Sequence, residues 1–230
     1  MRRFKFSPLQ WIIHLGALTP LAVLIANALR DNLSANPIQD VTFRTGKTAL
    51  VLLVLSLAAT PVNTVFGYRP ALKVRRALGL YAFFYVSLHF LIFIGLDYTF
   101  DLELIFAAIA EKRYALVGFA AGLILLPLAI TSTKGWMRRL GKRWKQLHRL
   151  VYIAAPLAVV HYIWLVKADI REPLAFGGVI GALLLARLPF VRRWATNWRS
   201  MMKARFANPK RGLRIPMVGG DKGNVEKLNA

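Results

Sequence analysis

The sequence has no cysteine among its 230 residues. Disulfide frameworks, thiolate zinc sites, iron–sulfur clusters, a cysteine nucleophile and thiolate ligation of heme are therefore excluded. A metal site in this chain would have to use histidine, methionine, tyrosine or carboxylate ligands.

Acidic residues are scarce as well. The chain has 10 Asp and Glu against 32 Lys and Arg, which gives a formal net charge of +22. Hydrophobic residues make up 57% of the sequence and the mean hydropathy is +0.47. This composition is typical of a membrane protein rather than a soluble domain.

Runs of about 18 or more mostly apolar residues can cross a hydrocarbon core of about 30 Å, and six such runs predict six transmembrane helices. They cover Pro8–Leu29, Thr48–Phe66, Ala77–Leu96, Tyr114–Thr133, Leu150–Val166 and Leu174–Val191. The first run is longer than the core of a signal peptide and has no small-residue cleavage site, so we expect it to be retained. The predicted fold class is an all-α membrane protein.

The distribution of charge predicts the orientation of these helices, because cytoplasmic loops collect Lys and Arg. The segments on the side of the N-terminus hold 24 basic and two acidic residues, whereas the opposite loops hold seven basic and eight acidic residues. We therefore expect both termini in the cytoplasm. Anionic lipid head groups explain the basic loops better than nucleic acid does.

Outside the spans, the segment Arg138–Arg149 predicts a basic helix at the membrane surface. Residues 1–200 are expected to form the six-span domain, and residues 201–230 a basic, disordered cytoplasmic tail rich in glycine and proline. No internal repeat is evident.

All four histidines, His14, His89, His148 and His161, lie in predicted spans or at a span boundary. Ionisable groups inside a bilayer are costly and usually serve a site. His89 lies 13 residues after Arg76 and His161 lies 12 residues after Arg149. At 1.5 Å per residue both are roughly 18 to 20 Å from the cytoplasmic edge. Two imidazoles at one level are what bis-histidine ligation of a b-type heme requires.

His148 is 13 residues before His161 and could form a second level, although the two point in different directions on a straight helix.

Other chemistries fit less well. A zinc hydrolase would need a close His-x-x-x-His pair or a carboxylate set, and a proton-coupled transporter would need acids within the membrane. The predicted spans contain no carboxylate. No nucleotide-binding glycine motif has the required strand and helix around it.

Three stretches resemble the MsrQ (YedZ) family, the membrane subunit of the bacterial methionine sulfoxide reductase system and a member of the ferric reductase-like and NADPH oxidase transmembrane superfamily. They run from Arg75 to His89, from Thr131 to Tyr152, and over His161-Tyr162. The resemblance covers about residues 8–200.

The resemblance implies a multi-pass protein of the bacterial cell inner membrane that binds heme b, one or two per chain, together with FMN. It further implies that His89, His148 and His161 are heme ligands. Electrons would come from the quinone pool or a cytoplasmic flavin reductase and pass to MsrP, a periplasmic molybdoenzyme that carries out the sulfoxide reduction. The chain itself would then be an electron-transfer subunit.

The second level, at His148 and nearer the cytoplasmic face, is called the inner level below. The wider superfamily has a second histidine at this level, where this chain has Arg75 and Arg76. His14 is one candidate for the missing ligand. Alternatively, Arg75 or Arg76 could pair with a heme propionate or a flavin phosphate. Two other functions stay open: a self-contained quinone or ferric reductase, and a non-redox membrane scaffold or transporter.

Overall fold

The computed structural model describes residues 7–166 and 168–207, with side chains as far as Met202. This part of the chain contains helices and no strand, which confirms the all-α prediction. The helices are α1 (Pro8–Leu29), α2 (Pro37–Phe66), α3 (Pro70–Ile92), α4 (Leu102–Glu111), α5 (Arg113–Ile130), α6 (Lys134–Leu140), α7 (Lys142–Leu147), α8 (Val151–Leu165), α9 (Arg171–Leu185) and α10 (Pro189–Ala207). A π-helical turn at Phe93–Asp97 extends α3, and a 3₁₀ turn at His148–Leu150 leads into α8.

Five helical segments of the described chain are long and apolar enough to cross a membrane. They are Pro8–Leu29, Pro37–Phe66, Pro70–Asp97, Arg113–Ile130 and Lys142–Leu165. A sixth span is possible only if Arg171–Leu185 and Pro189–Met202 act together across a bend of 76°. The chain is thus a multi-pass membrane protein, and its sixth predicted span is a bent pair of helices.

The bend after α9 has two visible causes. Pro189 begins α10, and proline disfavours helical conformation in the residue before it. Arg187 stands at the bend, where its Nη1 donates to the Tyr152 hydroxyl and its Nη2 donates to the Leu57 carbonyl at 2.6 Å. A cation held in this way ends the apolar run at Leu185, earlier than the predicted end of the span.

Helix α2 begins well before the predicted start at Thr48. Its first residue is Pro37, and the Asn36 side chain caps it by accepting from the Gln39 amide at 3.2 Å. The first turns are polar, with Arg44 Nε donating to Asp40 Oδ1 at 2.8 Å. The sequence pattern missed these turns because apolar length detects only the part of a helix that lies in hydrocarbon.

Helix α4 was not predicted, because ten residues are too few to span a membrane. Ile105 and Ala108 are buried on one side of it, while Phe106 is 68% exposed. Beyond its end, Lys112 Nζ donates to the Tyr98 hydroxyl at 2.7 Å, and this hydrogen bond raises the pKa of Lys112. The segment therefore has the two-sided character of a helix at a membrane surface.

The predicted surface helix Arg138–Arg149 is interrupted. Gly141 separates α6 from α7 with φ of 50°, a conformation that glycine adopts more readily than other residues. The predicted domain boundary at residue 200 lies inside α10. The rest of the predicted tail, residues 208–230, is outside the described residues.

The core is built from pairs of helices with small residues between them. Helix α2 packs along α3, and α5 packs along α8. Ala82, Ala154 and Ala155 are at most 1% exposed. Alanines allow helix backbones to approach closely, which is the usual way that membrane helices pack.

Helix α1 is fastened to α3 at Pro20. The buried Tyr85 hydroxyl donates to the Ala17 carbonyl at 2.7 Å and accepts from the Leu21 amide at 3.1 Å. These two backbone groups would bond each other in a regular helix, so the hydroxyl is inserted into the backbone ladder of α1.

Candidate functional site

The His89 and His161 rings lie together inside the helix bundle. His89 is on α3 and His161 is on α8, and their ring centroids are 6.1 Å apart with an angle of 85° between the planes. The structure therefore brings together the two histidines that the sequence placed at one level.

Each of these rings is oriented by a backbone carbonyl of a neighbouring helix. His89 Nδ1 lies 3.0 Å from the Thr42 carbonyl oxygen, and His161 Nδ1 lies 2.7 Å from the Tyr114 carbonyl oxygen. A carbonyl accepts only, so Nδ1 carries the proton in both rings. Nε2 is then the nitrogen with a free lone pair, which is the form of histidine that binds a metal.

A glycine beside each ring leaves room for it. A Cβ placed on Gly46 of α2 would lie 3.1 Å from His89 Nδ1, and one placed on Gly118 of α5 would lie 2.5 Å from His161 Nδ1. The second distance is too short for any side chain. Glycine is therefore needed where the α5 backbone approaches the His161 ring.

The two halves of the site repeat one another. Both histidines are 47 residues after the carbonyl that orients them, and each glycine is one helical turn after that carbonyl. Thr42, Gly46 and His89 thus correspond to Tyr114, Gly118 and His161. The expectation of no internal repeat was wrong for these two helix pairs, because the repeat lies in the spacing of a few residues and not in general similarity.

A cavity of about 580 Å³ is formed around the two rings by residues of α2, α3, α5 and α8. Its volume is in the range of roughly 300 to 1,000 Å³ that small-molecule and cofactor sites occupy. Most of the wall is apolar and aromatic. The side chains with polar atoms on the wall are Thr42, Lys47, Ser87, His89, His161 and Tyr162.

The pair of rings fits a heme with two axial histidines. An imidazole nitrogen binds a metal at about 2 Å, so one iron between two rings separates their centroids by about 6 Å. The observed separation is 6.1 Å. Within the described residues no group of three or more His, Cys, Asp or Glu side chains could hold a metal ion. The donor set suits a metal that brings its own equatorial ligands, as heme iron does.

His148 does not line this cavity. Its ring stacks on Trp144 with centroids 4.0 Å apart, and its Nε2 lies 3.2 Å from the Thr131 hydroxyl. The Trp144 indole N–H donates to the Thr131 carbonyl at 2.9 Å, which holds both rings at the end of α5. In this arrangement both the hydroxyl contact and the stacking would have to change before Nε2 could bind iron.

His14, the proposed partner of His148 at the inner level, is used differently. Its Nδ1 lies 2.8 Å from the Tyr81 hydroxyl of α3, and the two rings meet edge to face. His14 does not line the cavity either. This contact attaches α1 to α3 one helical turn away from Tyr85, whose hydroxyl also joins these two helices.

The arginines of the inner level lie at the start of α3. Arg75 Nη1 donates to the Thr60 hydroxyl at 3.0 Å. Arg75 also lies near His148 and Arg187. The described residues form two ion pairs, Arg44 with Asp40 and Lys47 with Glu172, and neither involves this group of cations. Within the described residues, the Arg75 guanidinium thus contacts a neutral oxygen and no carboxylate.

Comparison with known proteins identifies the family. The family model described as "Ferric reductase like transmembrane component" matches residues 45–159, which include His89 and His148. A protein of Rhodospirillum rubrum named "Protein-methionine-sulfoxide reductase heme-binding subunit MsrQ" is 51% identical over 183 residues, which are 79% of this chain and 88% of that protein. The chain belongs to the MsrQ family.

Other members of the MsrQ family are similarly related. The protein of the same name from Xanthomonas axonopodis pv. citri is 45% identical over 179 residues, which are 75% of this chain and 82% of that protein. No solved structure matches the chain. The resemblance to the MsrQ family and the assignment to a bacterial multi-pass membrane protein are thus confirmed.

Several site residues were not found by sequence reasoning. Gly46, Gly118 and the two carbonyls that orient the histidines carry no chemical motif of their own. The signal that could have found the glycines is the equal spacing from each of them to its histidine. Lys47 was missed because it was counted only as a loop charge when orientation was predicted.

Proposed function

We propose that this chain is the heme-binding, electron-transfer subunit of a protein-methionine-sulfoxide reductase system, with heme b bound between His89 and His161. The observation that supports this most directly is the pair of imidazoles 6.1 Å apart in an apolar cavity. The Rhodospirillum rubrum relative is named as a heme-binding subunit, which agrees with this proposal.

The protein's own groups would bind the cofactor and keep it in one orientation. Held by His89 and His161, a heme would supply one-electron transfer. The Thr42 and Tyr114 carbonyls would fix the proton of each ring on Nδ1 and hold the ring in one orientation. Nε2 of His89 and His161 is then deprotonated and able to bind iron. The apolar wall limits water around the site, and this sets the local dielectric and hence the reduction potential.

Sulfoxide reduction would take place in a partner, MsrP, on the periplasmic face. The orientation with both termini in the cytoplasm, inferred from the loop charges, is part of this proposal. Electrons would enter from the quinone pool or a cytoplasmic flavin reductase. The described lining residues favour this arrangement, because they include His89 and His161 and no carboxylate that could act as an acid or base.

FMN is a further part of the proposal, and its phosphate would bind at the inner cationic level. Arg75, with Arg76 beside it, can supply the guanidinium groups that suit a phosphate. A second heme is less well supported. His148 would be its ligand, with His14 as a candidate opposite ligand, and both are held by hydroxyl groups in this arrangement.

Spectroscopy of the purified full chain tests the proposal. We expect b-type absorption bands, a pyridine-hemochrome count of one heme per chain, and nearly complete loss of heme in His89→Ala and His161→Ala. His14→Ala and His148→Ala are matched controls at the inner level and should retain this heme. Full heme retention in both His89→Ala and His161→Ala would refute the assignment. A colourless wild-type protein, after expression with sufficient heme, would favour a scaffold or transporter.

Activity measurements separate the remaining alternative. Purified chain reduced with dithionite should transfer electrons to the methionine sulfoxide reductase partner far faster than to quinone or ferric chelates. Equal or faster rates with those small acceptors, without the partner, would favour a self-contained quinone or ferric reductase. Release and quantification of flavin from the same preparation tests FMN.

A further inference from the structure

Among the described residues, the cavity wall is charged at one place. Lys47 is the one lysine or arginine in the described part of the lining. It follows Gly46 on α2, directly beside the residue that lies against the His89 ring. The corresponding position in the repeated half, next to Gly118, is Phe119. Lys47 therefore breaks the symmetry of an otherwise repeated site.

Lys47 connects the cavity to an acidic residue of another helix. Its Nζ lies 2.6 Å from Glu172 Oε1, and the two side chains are 54% and 45% exposed. Glu172 is in the first turn of α9, where a negative charge is favoured by the helix dipole. Tyr162, which also lines the cavity, lies close enough to Glu172 to interact with its charge. These contacts place the Lys47 ammonium group at the rim of the cavity.

A heme brings two carboxylates into any site that binds it. Its propionates need water or a cation, since a carboxylate left in an apolar wall is very costly. Here the described part of the wall offers the Lys47 ammonium group, at a rim that is open enough to leave it half exposed. The position of that charge can decide which edge of the ring faces the rim.

We propose that Lys47 binds a propionate of the heme held between His89 and His161, and that Glu172 is the counter-ion that shares Lys47 with it. This inference rests on the proposed function. It assigns the propionate edge to the α9 side of the cavity, whereas the inner arginines Arg75 and Arg76 would remain for another anion. Lys47 and Glu172 are positioning residues, because neither touches the iron.

The two charges should act on the reduction potential in opposite directions. Reduction adds one negative charge to the heme, so a nearby cation favours the reduced state and a nearby carboxylate favours the oxidised state. Loss of the Lys47 charge should therefore lower the midpoint potential. Loss of the Glu172 charge should raise it.

The test uses the purified full chain loaded with heme, in four variants. Lys47→Gln and Glu172→Gln remove the two charges. Arg44→Gln is a matched control on the same helix, since Arg44 pairs with Asp40 and does not line the cavity. Glu103→Gln is a control for Glu172→Gln, because Glu103 is also in the first turn of a helix.

Redox titration and the rate of heme transfer to apomyoglobin are measured. We expect Lys47→Gln to lose heme about fivefold faster, the effect of a half-exposed ion pair. Its midpoint should be more negative, that of Glu172→Gln more positive, and both controls should match the wild type.

The outcomes separate this inference from the proposed function. If Lys47→Gln matches Arg44→Gln in potential and heme loss while His89→Ala loses its heme, the inference is wrong and the proposed function stands. If the wild type binds no heme, the proposed function itself fails. Should Lys47→Gln not accumulate as folded protein, Glu172→Gln decides, and an unchanged or more negative midpoint overturns the inference.

Discussion

The glycine beside His161 offers the sharpest test of how the site is built. In Gly118→Ala the new Cβ would lie 2.5 Å from His161 Nδ1 and 2.8 Å from Cε1. Carbon atoms in contact are about 3.5 to 4.0 Å from their neighbours, so the ring or the helix must move by about 1 Å. In Gly46→Ala the corresponding distance to His89 Nδ1 is 3.1 Å, and a shift of a few tenths of an ångström is enough.

The displaced ring would lose its hydrogen bond to the Tyr114 carbonyl, which is 2.7 Å long. Overpacking in a tight interior costs about 1 to 3 kcal/mol. Loss of a group that orients a metal ligand reduces metal affinity by roughly 10- to 100-fold. We therefore expect Gly118→Ala to bind much less heme than the wild type, and Gly46→Ala to be intermediate.

The assay is heme per protein and the rate of heme loss, measured on purified protein together with its thermal unfolding. Gly178→Ala on α9 is the control, because nothing lies within 4 Å of the Cβ that it adds. It should behave as the wild type. Normal heme content and spectrum in Gly118→Ala, or a larger defect in Gly46→Ala than in Gly118→Ala, would refute this account of the site.

Two further predictions concern the packing of the helices. Tyr85→Phe removes the hydroxyl that lies between the Ala17 carbonyl and the Leu21 amide. We expect the protein to lose about 1 to 2 kcal/mol of stability with its heme content unchanged. An unchanged unfolding midpoint would contradict this role of the Tyr85 hydroxyl. Arg187→Met removes the donors to the Leu57 carbonyl and to the Tyr152 hydroxyl. It should lower the unfolding midpoint in detergent, whereas Arg193→Met on the exposed side of α10 should not.

Much of the fold was predictable because a bilayer imposes a simple rule on sequence. Apolar length located five spans, and the depth of His89 and His161 in them placed these two histidines at one level. The rule failed where polar contacts decide the structure. Arg187 ends α9 through bonds to side chains and carbonyls of distant helices, which no local pattern reports.

At the inner level too, contacts with neighbouring helices decide what sequence spacing cannot report. The sequence placed His89 and His161 at one level, whereas His148 was a ligand by family resemblance and His14 only a candidate for a missing ligand. The structure gives both of them hydroxyl partners, Thr131 for His148 and Tyr81 for His14. Whether a histidine points its free nitrogen into a cavity depends on the neighbouring helix, and a single span carries no information about that neighbour.

The repeated helix pairs explain why one site of this kind is well formed. In each pair, a carbonyl and a glycine one turn apart on the first helix hold a histidine on the second. Two copies that face each other place two histidine rings at one level. At the inner level the repeat is not kept, since the position that corresponds to His148 is Arg76. With a histidine, His148, on one side and the guanidinium of Arg76 on the other, the inner level favours an anion over a second iron held by two histidines.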